Sequence, residues 1–172
     1  MPNPLSLLGT VHTVVSLVPV AAGLYGFARY RAIEPAARSG RVYLAGLALS
    51  VLTSFGLSST GGFNPGHALG ILALLAAFGS LLVCCLPFLG RLRPYLAMFG
   101  LSFSFFLTLV PGITETLTRL PAASPLADGP ESALVRFALL AWAAIFIVGF
   151  AIQAWMVRSR CLPITARVLR KP

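Results

Sequence analysis

Five apolar runs divide this chain, at about 4–28, 42–60, 67–88, 95–118 and 133–157. Each is close to the roughly 20 residues that cross a bilayer core as a helix. Composition points the same way, with 58% hydrophobic residues, 10% charged residues and a mean hydropathy of +0.90. A soluble domain averages roughly a quarter charged residues, so a water-exposed surface could not be built from this set. The expected fold is an all-α membrane protein, a compact antiparallel bundle of five transmembrane helices. The bundle is expected to fill 1–157 as one domain, followed by a basic tail at 158–172.

Helix breakers punctuate the runs. The first begins after Pro4 and ends at Arg29, and the second follows Arg41. The turn Gly61-Gly62-Phe63-Asn64-Pro65-Gly66 precedes the third. Pro94 suits the first turn of the fourth, and Pro121, Pro125, Asp128, Gly129 and Pro130 form an irregular loop before the fifth. Met1-Pro2-Asn3-Pro4 lacks the basic region of a secretory signal, so the first run is expected to be retained as a membrane helix.

Cations set the expected orientation, because arginine and lysine concentrate in cytoplasmic connections. The first connection holds Arg29, Arg31, Arg38 and Arg41, the third Arg91 and Arg93, and the tail Arg158, Arg160, Arg167, Arg170 and Lys171. The second connection carries no charge, and in the fourth Arg119 and Arg136 are offset by Asp128 and Glu131. The N-terminus is therefore expected outside and the C-terminus in the cytoplasm.

The net charge of +9 does not point to nucleic acid. The cations sit between apolar runs rather than on a module with groove-reading motifs, and their expected partners are anionic lipid headgroups. Cys84, Cys85 and Cys161 show no zinc or redox spacing and read as packing residues. Small residues recur every fourth position at Gly46, Ser50, Ser54 and Ser58, and again at Ser104, Thr108, Gly112 and Thr116. Gly66 and Gly70 begin a third such stripe. In lipid these spacings favour close helix contact.

Four ionisable residues stand apart, since such groups are costly inside a membrane and are often functional there. His12 lies about two turns into the first run, His67 opens the third, and Glu115 and Arg119 lie near the end of the fourth. The expected topology places all four toward the outer face. Thr108, Gly112, Glu115 and Arg119 share one helix face, with Glu115 four residues before Arg119, the favourable order for an ion pair. Pro111 is expected to interrupt that helix and free a carbonyl, and His12, Ser16 and Pro19 share a face on the first. Each residue also has a structural reading. His67 could cap its helix, Arg119 could extend to the headgroups, Glu115 with Arg119 could be a structural pair, and His12 could hydrogen-bond another helix.

Three functions from different classes fit these positions. The leading expectation is an outward-facing pocket of His12, His67, Glu115 and Arg119 that binds a cofactor. Two facing histidines could ligate a b-type haem, and Arg119 could pair with a propionate or a quinone headgroup. His12 and His67, joined by Glu115, are also ligand types for a divalent metal or members of a proton relay. As a transport component the chain is poorly supplied, because deeper in the spans only Ser50, Ser80, Ser102, Ser104 and Gln153 continue a polar path. The third expectation is an accessory or assembly subunit, with partner subunits met by the loop 120–132 or by Phe103, Phe105, Phe106, Phe137, Trp142, Phe146, Phe150 and Trp155. No G-x-S-x-G, phosphate loop or dinucleotide fingerprint is present, and no catalytic residue is assigned.

At Pro111-Gly112-Ile113-Thr114-Glu115-Thr116-Leu117-Thr118-Arg119-Leu120-Pro121 the chain resembles a group of uncharacterised bacterial multi-pass membrane proteins that carry an E-T-L-T-R-L-P segment at a helix end. The His12 helix and the glycine-rich turn before His67 are similar to that group as well. The resemblance implies a membrane protein with Glu115, Thr116, Arg119 and Pro121 as matching positions, and it implies no activity. Some of these proteins faintly resemble b-type cytochromes.

Overall fold

The computed structural model describes residues 7–57, 64–121 and 123–168, with side chains up to Ser159 in the last helix. Ser58, the turn at 61–63, the first residues and the end of the tail lie outside the described residues, as do the side chains of Arg160, Cys161 and Arg167. The helices are α1 (Leu7–Tyr30), α2 (Arg38–Ser54), α3 (Pro65–Cys84), α4 (Arg93–Arg119) and α5 (Ala133–Val168). A 3-10 turn, Phe55–Leu57, extends α2, and another, Pro87–Leu92, precedes α4. Among the described residues, five helical segments are long and apolar enough to cross a membrane. The chain is an all-helical, multi-pass membrane protein.

Several boundaries differ from those read in the sequence, each for a local reason. α2 begins at Arg38, because the connection folds straight back and the Ala37 amide donates to the Glu34 carbonyl. Gly40 lies against that same carbonyl, where a Cβ would have no room. α3 stops at Cys84 because Leu86, held extended before Pro87, cannot continue the helix. α5 continues as helix to Val168, past the expected edge of the span. Pro111 does not break α4, which runs through it as one helix, and α1 likewise contains Pro19.

Successive helices run in opposite directions, as their contacts show. The start of α1 meets the end of α2 at His12 and Thr53, and the end of α2 meets the start of α3 at Ser54 and His67. Gly100 near the start of α4 lies against Ala76 and Ser80 of α3, and Ser102 bonds Gln153 late in α5. Lipid is as apolar as leucine, so close fit and hydrogen bonds hold such helices together rather than escape from water. Glycines supply that fit. A Cβ on Gly46 would come 2.9 Å from Pro19 Cδ, and one on Gly23 would come 2.5 Å from two ring carbons of Phe105. A Cβ on Gly70 would come 3.2 Å from the Val51 methyls. Tyr43, Leu47, Val51, Ala73, Ala77, Leu101 and Phe105 form the buried centre.

Two buried polar links cross this centre. The Tyr43 hydroxyl lies 2.6 Å from Ser104 Oγ, joining α2 to α4. Gln153, only 7% exposed, accepts from Ser102 Oγ and donates to the Arg31 carbonyl, which ties α5 to α4 and to the end of α1. Arg31 itself has φ 64°, a left-handed residue that ends α1 while its amide donates to Phe27 O.

Candidate functional site

All four ionisable residues singled out in the sequence lie at one end of the bundle, where α1 begins, α2 ends, α3 begins and α4 ends. Their surroundings separate them into three different cases.

His67 is structural in this arrangement. Asn64 is extended at the start of α3, and its side-chain Oδ1 accepts from the His67 amide at 3.0 Å. The Asn64 amide donates in return to His67 Nδ1 at 3.3 Å, a reciprocal cap of the kind that satisfies two otherwise orphaned donors. Since Nδ1 accepts, Nε2 carries the hydrogen and donates to the Ser54 carbonyl at 3.0 Å. The ring also stacks on Phe55 at 4.8 Å between centroids and is 3% exposed. Both nitrogens are thus committed, and neither offers a lone pair to a metal. Sequence carried this signal, because Asn-Pro-Gly-His places a capping residue, a first-turn proline and a third-position acceptor in order.

His12 is set differently. Its Nδ1 lies 2.8 Å from Thr53 Oγ1, and that hydroxyl already donates to the Leu49 and Ser50 carbonyls of its own helix. With its one hydrogen turned to those carbonyls, Thr53 accepts from the ring, the arrangement in which His12 carries hydrogen on Nδ1 and a lone pair on Nε2. The contact at Nε2 is a long one, 3.4 Å to Ser16 Oγ, and Ser16 makes a much closer bond of 2.6 Å to Ser50 Oγ. An oriented imidazole with a weakly engaged acceptor is a group that can receive a hydrogen bond or ligate.

Glu115 and Arg119 pair with each other one turn apart, as their spacing predicts, and both side chains are more than half exposed. Arg119 ends α4, and Leu120 turns extended into the loop. That loop folds back on the helix end, where the Ala127 amide donates to Leu117 O and the Leu126 amide to Leu120 O. Ser132 then caps α5 by accepting from the Val135 amide at 3.3 Å.

The structure therefore joins His12 to α2 through Thr53, and it joins His67 to α2 through a separate set of bonds. The two histidines flank the last turn of α2 on Thr53 and Ser54, each held to it by its own hydrogen bond. The pair does not fit bis-histidine haem ligation, because freeing His67 would undo the cap of α3. Among the described residues, no group of three or more His, Cys, Asp or Glu stands close enough to hold a metal ion. Nor do the deeper polar residues form a path. Ser80 bonds back to Ala77 O, Ser102 bonds Gln153, and Ser104 bonds Tyr43 and Leu101 O.

Sequence reasoning missed Thr53, and it named Gln153 as a deep polar residue without its links to Ser102 and Arg31. Thr53 had no signal beyond its place near the end of the second run. Gln153 did, being the one amide inside the most apolar of the five spans. Comparison with known proteins adds no relative, since no family model, no curated protein and no solved structure matches the chain.

Proposed function

We propose that this is a bacterial inner-membrane protein, N-terminus outside and C-terminus in the cytoplasm, that binds the polar head of a lipid-soluble ligand of the quinone class beside His12. The cation distribution supports the orientation, which puts the site in the outer leaflet. One observation carries the binding role. Thr53 holds the His12 ring at Nδ1, and the contact of Nε2 with Ser16 is long at 3.4 Å.

A quinol hydroxyl is a suitable donor to that nitrogen. The site's neighbours support an amphiphile over a water-soluble solute. Leu8, Val11 and Phe55 around it are at least 40% exposed on the apolar surface, so a ligand would arrive through the bilayer. The E-T-L-T-R-L-P segment would then form the polar rim, with Arg119 toward the headgroups.

The test is to purify the protein in mild detergent, extract it with organic solvent and measure bound quinone, alongside an optical spectrum and metal analysis. Near-stoichiometric quinone that is lost in His12→Phe and retained in His67→Asn is expected. A Soret band lost in His12→Ala would replace quinone by haem. Clean protein with neither pigment, quinone nor metal would overturn the binding role and leave an accessory subunit, which stable co-purifying partners would identify.

A further inference from the structure

A shallow hollow opens at the other end of the bundle, remote from His12. It is about 80 Å³ in volume and lies between the end of α1, the start of α4 and the later part of α5. Two kinds of surface meet in it. Met98, Met156 and Val157 form an apolar wall, whereas Arg31 and Gln153 supply polar groups.

The polar side is built rather than incidental. Gln153 is 7% exposed, and one of its amide hydrogens holds the Arg31 carbonyl at 2.7 Å. A primary amide has two hydrogens, so a second donor remains beside the hollow. The same bond fixes Arg31 in its left-handed conformation, which sets the direction of its stem. Among the described residues the Arg31 guanidinium forms no ion pair.

Charge around the hollow is strongly one-sided. Arg29, Arg31, Arg38 and Arg41 stand at the α1–α2 connection, Arg91 and Arg93 before and at the start of α4, and Arg158 late in α5. Glu34 is the acidic residue in this group of segments. A ligand matched to these features has a negative head and an apolar tail, and the apolar wall runs along helices that span the membrane.

We propose that this hollow is a binding site for an anionic phospholipid. The headgroup phosphate would be held by the Arg31 guanidinium and the free Gln153 N–H, with an acyl chain along Met98, Met156 and Val157. Guanidinium and amide donors suit phosphate oxygens, and basic recesses between membrane helices are known to take anionic headgroups. The proposal rests on the multi-pass membrane fold and is independent of any ligand at His12.

The experiment is native mass spectrometry of the full chain released from nanodiscs containing phosphatidylcholine with a minor fraction of phosphatidylglycerol. The wild type is expected to retain one phosphatidylglycerol in preference to phosphatidylcholine. Arg31→Gln should lower that preference about fivefold, the effect of removing one cation at a headgroup site. Val157→Trp, which fills the hollow without altering charge, should lower it as well. Arg38→Gln, a cation outside the lining, should leave it unchanged, and a thermal scan in detergent confirms that each variant is folded. Equal retention of both lipids by the wild type would overturn the site. So would an equal loss in Arg38→Gln, which would mean a diffuse surface potential, or full displacement by millimolar inorganic phosphate, which would mean a free-anion site.

Discussion

The α3–α4 and α4–α5 seams use the same helix in opposite ways. Toward α3, α4 presents Gly100, and a Cβ there would come 2.6 Å from the Ala76 carbonyl oxygen and 2.8 Å from Ser80 Cβ. The partner face is equally small, with Ala73, Ala77 and Ser80 buried. Toward α5 the same helix offers rings. Phe99, Phe103 and Phe106 meet Trp142, Phe146 and Phe150 at centroid separations of 5.0–6.1 Å. The first seam brings backbones together and leaves no slack. The second holds helices apart and adapts through side-chain rotation. In a bilayer both are sources of van der Waals contact, but only the first fixes position to within a fraction of a methyl group.

Substitution can break this contrast, and the largest effect is expected at its tightest point. Gly100→Leu should destabilise the bundle by about 3 kcal/mol, the upper part of the overpacking range, because a backbone oxygen blocks the new side chain. A thermal or denaturant scan in detergent reads it, and a loss under about 1 kcal/mol would mean that the seam can open. On the ring side, Trp142→Phe keeps the stacking on Phe106 and removes the indole donor to the Phe106 carbonyl, now 3.0 Å away. A loss of about 1 kcal/mol is expected by the same scan. A loss as large as that of Gly100→Leu would show that this bond, not shape, holds α5. The smallest change should come with reversed sign. Gly149 of α5 has nothing within 4 Å of a built Cβ, so Gly149→Ala should gain up to about 1 kcal/mol from helix propensity alone. Destabilisation there would reveal a partner against that face.

The same contrast explains what could be read from the sequence. Apolar run length reports the helices, and each of the five runs coincides with a helix whose start lies within about four residues of the expected one, although α5 continues past 157 to Val168. Short-range chemistry was legible too. The Asn64–His67 cap and the Glu115–Arg119 pair are both encoded within one turn of chain. The stripe Gly46, Ser50, Ser54 was a sound guide, since those residues meet Pro19, Ser16 and His67. The stripe at Ser104, Thr108, Gly112 and Thr116 was half right. Ser104 is buried against Tyr43, whereas Gly112 faces open space and Thr116 is exposed with its hydroxyl on Gly112 O. Periodicity names a face without naming what covers it.

Long-range partners were out of reach for the same reason. That Thr53 orients His12, or that Gln153 reaches back to Arg31, depends on which helices become neighbours, and neither residue carries a local pattern for it. The four polar residues therefore looked like one cluster in sequence. In three dimensions they resolve into a helix cap, an exposed ion pair and one oriented imidazole. Of the four, the imidazole of His12 is the one with a weakly engaged ring nitrogen.

The ring seam has a further consequence for how the protein is made. α5 leaves the ribosome after α1 to α4, and its main neighbour is α4. The face of α4 that awaits it is phenylalanine, which sits in lipid as comfortably as against another ring. Helices α1 to α4 can thus draw their glycine contacts together while the fifth is still being synthesised, with only Ser102 and the Arg31 carbonyl left waiting for Gln153. Arrival of that one amide would then tie α5 to α4 and to the end of α1 in a single step.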